Sequence, residues 1–362
     1  MSLVARRYAG LILYFSESRY YKYLPAPNAI TDMNTELVER CNVCESNRLD
    51  AVDPACHIAR CANCGFVFDN PRPVLSELVK FYSRPAQYDS WLGELPARQI
   101  AWQRRLKKMQ STRKPGTLLD VGTGIGQFLE VARTSYEAVY GTEVSSVAIR
   151  IAKERYGLDV FQGTLDSIDW EGKVFDNISL FHVLEHVHDP KRLLQKCHSL
   201  LSDGGTIAVA VPNEVTSFRA VVRTWMTNRG WKDRSGLGKF GLPLISLGPE
   251  NGEVHLSHFT PGVLVRLLEN TGFSVLKKTL DPYYIATGLS RSKAHVYYYA
   301  SSALMLCSGI NVYDTIFVIA RRVSTHKDAR AKGRVGQQYC RTRQSRNGRL
   351  CNPVIAAIRH SQ

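Results

Sequence analysis

The chain has 362 residues, 44% of them hydrophobic and 22% charged, which excludes a disordered or fibrous polymer and leaves room for one sizeable core plus a smaller module. Nine cysteines, four of them in two C-x-x-C pairs, point to a metal site in a reducing, cytoplasmic setting rather than to a disulfide framework. The formal net charge is +15, but nine Lys/Arg against one acid, Asp328, fall from Val323 onward, so sequence-independent affinity for phosphates is expected in the tail and not in the mildly basic body.

Residues 1–36 read as an N-terminal extension. Arg6 and Arg7 precede an apolar run too short for a signal segment, no small-residue cleavage site follows, and Met33 is a candidate natural start. Residues 37–75 carry Cys41-x-x-Cys44 and Cys61-x-x-Cys64, separated by 16 residues. Two such pairs suit four thiolates around one tetrahedral structural zinc. Cys56 and His57, between the pairs, are expected to be solvent-exposed bystanders rather than ligands. Residues 76–113 are amphipathic and charged, and read as a helical linker that ends at the breaker Lys114-Pro115-Gly116.

From 114 to 322 short apolar runs alternate with helical segments: "TLLDVG", "EAVYGTE", "LDVFQG", "FDNISLFHV" and "GGTIAVAVPN" as strands, with "GQFLEVARTS", "SSVAIRIAKERYG" and "DPKRLLQKCHSLL" as helices. The pattern predicts an α/β fold with a Rossmann-like, doubly wound, mostly parallel sheet. A cap insertion at about 214–253 holds Arg219, Arg223, Trp225, Arg229, Trp231, Lys232 and Arg234, a mixture suited to a phosphorylated or nucleotide-linked acceptor, or to RNA. "TPGVLVRLLENTGF" reads as a helix, and "SVLKKTLD" and "YDTIFVIARR" as the last strands. Ala294 to Tyr313 lacks formal charge over 20 residues but is rich in Ser and Tyr, so a helix packed on the domain is expected and no stable membrane insertion. Residues 323–362 read as a basic disordered tail.

The strongest chemical signal is "LLDVGTGIGQFLE". Gly122, Gly124 and Gly126 fall in a turn that follows a strand and opens a helix, where open α/β sheets bind ligands. Asp120 precedes them, and Glu143 ends the second strand, placed to accept hydrogen bonds from ribose hydroxyls. The third glycine comes one residue earlier than in the dinucleotide fingerprint G-x-G-x-x-G; a nicotinamide-binding relative of the fold remains the alternative on these residues alone.

These segments resemble the ordered motifs of the class I S-adenosylmethionine-dependent methyltransferases: "LLDVGTGIG" the first motif, "GTEVSS" the second, "GTLDSI" the adenine-side loop, "FDNISLFHVLEHVHDP" and "LLSDGGTIAVAVPN" the fourth and fifth. The resemblance implies S-adenosylmethionine as cofactor. The backbone of Gly122, Gly124 and Gly126 would border its methionine moiety, with Asp120 holding the amino group and Glu143 the ribose. Thr164, Leu165 and Asp166 would flank the adenine, and Phe181 and His182 would lie beside the sulfonium. "CNVCES" and "CANCGFVF" resemble zinc-ribbon knuckles. The ribbon followed by this catalytic pattern is similar to bacterial methyltransferases of sugar, polysaccharide and secondary-metabolite pathways.

A hydroxyl or carbon-acid acceptor needs a base, and histidine suits that task near neutral pH. His182, at the end of the fourth strand, is the first candidate; His255 and His258 come from the loop before the next helix. Glu185 and His186 read as residues that cap and pack the start of a helix. "HVLEH" is similar to the E-x-x-E-H pattern of some metal-dependent O-methyltransferases, including ubiquinone-pathway and small-RNA ones, but His182 replaces the first acid, which argues against a second metal. The expected function is methyl transfer to a small-molecule, sugar-nucleotide or glycan acceptor. The alternatives are an RNA methyltransferase using the tail, and a non-catalytic cofactor-binding protein.

Overall fold

Apolar runs such as Leu118-Leu119 and Ile207 to Val211 can be buried only between two layers of helices, and the chain is built around that requirement. The computed structural model describes residues 33–230, 237–248, 251–282, 284 and 288–323. The extension up to residue 32, the cap residues Trp231, Lys232 and Arg234, and the tail from residue 324 lie outside the described residues.

The N-terminal part contains β1 (Thr35–Glu36), β2 (Leu49–Asp53), β3 (Ile58–Cys61), β4 (Val67–Asp69) and β5 (Arg72–Pro73). Three helices follow: α1 (Leu75–Tyr82), α2 (Asp89–Gly93) and α3 (Leu95–Gln110). The central sheet then uses β6 (Thr117–Val121), β7 (Ala138–Glu143), β8 (Val160–Gln162), β9 (Phe175–Phe181) and β10 (Leu201–Pro212). Between them run α4 (Gln127–Ala132), α5 (Ser146–Tyr156) and α6 (Pro190–Leu200). The remainder comprises α7 (Phe218–Asn228), β11 (Ser257–His258), α8 (Pro261–Asn270), β12 (Phe273–Thr279), α9 (Gly288–Ser308) and β13 (Thr315–Arg322).

The large sheet has seven strands in the order β12-β13-β10-β9-β6-β7-β8. β6, β7, β8, β9 and β10 pair in parallel, and β13 runs antiparallel to both β10 and β12. The topology therefore reverses between β6 and β9, which opens a crevice at their carboxyl ends. This is the expected Rossmann-like arrangement. Its helices begin where the sequence supplies caps: Ser145 accepts from the Ala148 N–H, Asp189 from Arg192, Ser217 from Ala220 and Thr260 from Val263. Each such cap satisfies an amide that a helix start leaves unpaired.

The second sheet was not legible in the pattern. Its order is β11-β4-β3-β2, so Ser257 and His258 of the catalytic half pair with Phe68 and Val67 of the cysteine module. The aromatic rings of Phe66, Phe68 and Phe259 stack across this junction. Cys56 is buried against Ile58, Val67 and Leu242 rather than exposed, because the segment after α7 folds over it. The uncharged stretch near residue 300 forms α9, whose Tyr298 is buried beside Leu280 and Tyr313. Among the described residues no helix is long and apolar enough to cross a membrane.

Candidate active site

The cofactor side is built from one contiguous turn. Gly122, Gly124 and Gly126 all take positive φ (68°, 56° and 81°), the left-handed region that a side chain disfavours. At Gly124 an added Cβ would also lie 2.9 Å from Cζ3 of Trp91, which α2 lays over the turn. Arg98 of α3 stacks in turn on the Trp91 ring. Glu143, at the carboxyl end of β7, accepts N–H bonds from Gly124 (2.8 Å), Val144 (2.8 Å) and Ser145 (2.9 Å). Burial raises its carboxyl while these three amides oppose the rise. Asp120 accepts the Ser179 hydroxyl at 2.6 Å, and burial pushes it up to about 6. A buried acid at the end of each of two adjacent strands, beside an open-backbone glycine turn, offers acceptors of the kind that ribose hydroxyls and an ammonium group could donate to. The Gly163 amide bonds to the Glu143 carbonyl at 2.8 Å, which ties the following Thr164 and Leu165 to the same rim. Thr164 is exposed and Leu165 buried, and Asp166 pairs with Arg192 at 2.8 Å.

Phe181, expected beside the sulfonium, ends β9 with its side chain turned into the core. Its ring is sealed among Trp102, Phe128 and Phe317. His182, the next residue, adopts φ 57°, a conformation that costs about 1–3 kcal/mol for a non-glycine residue and must be held by its surroundings. Its Nδ1 lies 3.1 Å from Glu185 and its Nε2 3.3 Å from Asp281. Asp281 is itself gripped by the buried Arg105 through bonds of 2.8 and 2.5 Å. Burial alone would lower the His182 pKa, but the two carboxylates outweigh it and the ring is raised. Both His182 ring nitrogens are thus directed at carboxylates.

Glu185 and His186 do not cap the following helix; Asp189 does. They face inward and meet His255, so that one ligand atom from each lies within 4.8 Å of the others. His186 places Nδ1 2.6 Å from the Val254 carbonyl and 2.9 Å from the Tyr82 hydroxyl, and burial lowers its pKa. A neutral ring donating through Nδ1 leaves the Nε2 lone pair toward Glu185, 4.0 Å away. His255 places Nδ1 3.0 Å from Glu214 and leaves Nε2 at 3.8 Å from Glu253, beyond hydrogen-bond range. Both that Nε2 and Glu185 Oε2 are buried without a hydrogen-bond partner among the described residues. Burial lowers the His255 pKa, yet Glu214 overrides it and the ring is held well above its ordinary value. Such a pocket demands a positive charge, whether a proton or a cation, and histidines braced from behind by a carbonyl and a carboxylate are typical of metal ligands. Glu185, His186 and His255 could hold a cation although His182 stands where the pattern has its first acid, with His255 reaching them from a distant loop.

His258 is placed differently. Its Nε2 lies 2.9 Å from Asp69 and its Nδ1 2.7 Å from Glu214, with 5% of the side chain exposed. Both nitrogens are engaged, so no lone pair is left for an acceptor's proton. Glu214, Asp281, Arg105 and Asp69 escaped the sequence reading, because no local spacing joins Asp69 to His258 or His182 to Asp281.

In the cysteine module Sγ of Cys41 lies 3.5 Å from that of Cys64, and Cys44 lies 3.6 Å from Cys61. A disulfide needs about 2.05 Å. Tetrahedral zinc with Zn–S bonds of about 2.3 Å separates its sulfurs by about 3.8 Å, which this cage fits.

The sequence model of a methyltransferase domain matches residues 96–278, half of the chain. The chain is similar to the ubiquinone biosynthesis O-methyltransferase of Coxiella burnetii, with 27% identity over 155 residues that cover 41% of this chain and 65% of that protein. It is also similar to the protein of that name from Parvibaculum lavamentivorans, at 29% over 107 residues, covering 28% and 42%. The chain thus spans less than two thirds of the length of these curated relatives. Among solved structures, a SAM-dependent methyltransferase from Archaeoglobus fulgidus is similar with 18% identity and a TM-score of 0.41, covering 64% of this chain and 99% of that one.

Proposed function

The chain belongs to the methyltransferase-domain family, and from that premise we propose that it transfers the methyl group of S-adenosylmethionine to a hydroxyl oxygen of a small-molecule acceptor. The observation that carries the acceptor half of this reading is the meeting of Glu185, His186 and His255 beside the cofactor crevice. When bound, the cofactor supplies a methyl carbon already activated by a sulfonium, so the protein's task is alignment and handling of the acceptor proton. Asp120, Glu143 and the Gly122–Gly126 backbone would hold it, with Thr164 and Leu165 at the adenine end.

Oxygen is favoured because an un-ionised hydroxyl is a poor nucleophile, and a cation in the cluster would ease loss of its proton to solvent. Glu185, His186 and His255 would hold a divalent cation, which would lower the pKa of an acceptor hydroxyl beside it. His182, fixed between Glu185 and Asp281, holds Glu185 in place through its Nδ1. The relatives named as O-methyltransferases agree with oxygen as the target. Cys41, Cys44, Cys61 and Cys64 would hold a structural zinc, since all four positions are protein thiolates and none is open to water.

The test is incubation of the full chain with methyl-labelled cofactor and Mg²⁺ against a catechol-type phenol, a sugar nucleotide and RNA. Label on a phenolic or sugar hydroxyl supports the reading. Label in RNA that is lost on removing residues 323–362 supports the alternative suggested by the tail's nine Lys/Arg. Cofactor binding with no transfer to any class overturns catalysis.

A further inference from the structure

The cysteine module does not merely precede the catalytic half; it supplies one strand neighbour and one charge to the acceptor site. β4 of the module pairs with β11, and the Asp69 amide bonds to the Leu256 carbonyl at 3.0 Å. On its other side the same loop bonds to Glu185: the Leu256 and Ser257 amides both donate to the Glu185 carbonyl, at 2.7 and 3.1 Å. The backbone between His255 and His258 is thus clamped between the module and the residue that faces His255.

The side chains extend this clamp. Asp69 accepts from His258 at 2.9 Å, His258 donates to Glu214 Oε2 at 2.7 Å, and Glu214 Oε1 accepts from His255 Nδ1 at 3.0 Å. Every member is buried or nearly so, from 2% side-chain exposure at Asp69 to 15% at His255. A buried ion pair is poor glue, since well-packed apolar residues dock two surfaces at least as well. What this row adds is direction: it pins His255 Nδ1 to Glu214 and leaves Nε2 toward Glu185 and His186.

We infer that Asp69 of the cysteine module is a positioning residue of the acceptor site, acting through His258 and Glu214 to hold the orientation of the His255 ring. The inference rests on the reading of Glu185, His186 and His255 as a cation cluster. It assigns the module a part in setting that cluster's geometry. A partner that braces a ligand histidine is worth about 10- to 100-fold in metal affinity.

The test uses the full, zinc-loaded chain with Asp69→Asn, and with Glu214→Gln as a second variant that leaves the module untouched. Three quantities are read: bound zinc, affinity for Mn²⁺ alone by electron paramagnetic resonance, and the ring-nitrogen shifts of His255 in histidine-labelled protein. The expected result is unchanged zinc, a Mn²⁺ affinity lower by about 10-fold or more, and His255 ring-nitrogen shifts that move from their wild-type values as the ring loses its fixed orientation. Wild-type Mn²⁺ affinity and an unmoved His255 ring in a zinc-loaded variant overturn the inference. Should Asp69→Asn fail to fold, the same readings on Glu214→Gln decide it. If the wild type binds no Mn²⁺ here yet the His255 ring shifts move in the variants, the cation reading fails while the positioning role stands.

Discussion

The two sides of the crevice are made in opposite ways. On the proposed cofactor side one turn and two strand ends supply the glycines and both acids, and Glu143 is satisfied by amides at most 19 residues away. On the proposed acceptor side the cluster draws on the loop after β9, the loop before β11, the segment after β10 and the cysteine module, with Asp69 and His258 separated by 189 residues. A site built locally depends on backbone conformation at a few positions. One assembled from distant segments depends on every junction between them, and so it is the half that the added module can govern.

The sharpest way to break this contrast is at the turn. Gly124→Arg must force a positive φ and drive a long side chain into Trp91, so cofactor affinity should fall by more than about 100-fold. Bound zinc should stay near one equivalent per chain, measured by metal analysis beside equilibrium dialysis of labelled cofactor. Retained affinity would remove the cofactor site from this turn. The acceptor side gives the reciprocal result: His255→Ala should reduce turnover by about 100-fold, within the usual contribution of acid–base and metal groups, and leave the cofactor dissociation constant unchanged. An equal loss in both measurements would mean that the two halves are not separable.

A smaller effect is expected from the module itself. In Cys61→Ser the cage loses a thiolate at the end of β3, the strand that pairs with β4 and so supports β11. Turnover should drop by tens of fold, roughly what a misplaced supporting shell costs, while cofactor affinity moves little. A variant that binds cofactor poorly but turns over normally at saturation would reverse the proposed division of labour.

How much of this was visible beforehand follows from the same contrast. The glycine turn, Glu143 and the cysteine pairs are contiguous or regularly spaced, and the strand-helix alternation gave the sheet. Glu185 and His186 lay in plain view, but their direction was misread as helix capping, because Asp189 three residues on does that work. Asp281 gave no signal at all: a lone acid after a strand becomes informative only once Arg105 and His182 are brought to it. Nor does periodicity predict that a two-residue strand at Ser257–His258 joins a sheet begun near residue 50.

The smallest expected effect concerns pH and the junction alone. Burial opposes protonation of His258, but Asp69 and Glu214 outweigh it and raise the ring to about 9. A raised histidine contributes stability that is complete below its unfolded value of about 6.5 and is lost as pH climbs through the folded value. Asp69 runs the same way, since a carboxyl that burial lifts to about 6 also loses its contribution as pH rises, but that loss is largely over by pH 7 and leaves the upper window to the histidine. Between pH 7 and pH 10 the melting temperature should therefore fall by several degrees in the wild type, corresponding to about 2–3 kcal/mol. His182 and His255 are raised as well, so the wild-type slope must be compared with that of His258→Gln, in which only the junction's share is missing. If the two slopes coincide, His258 is not an imidazolium at neutral pH, and the charge that joins the module to the acceptor side must be assigned elsewhere.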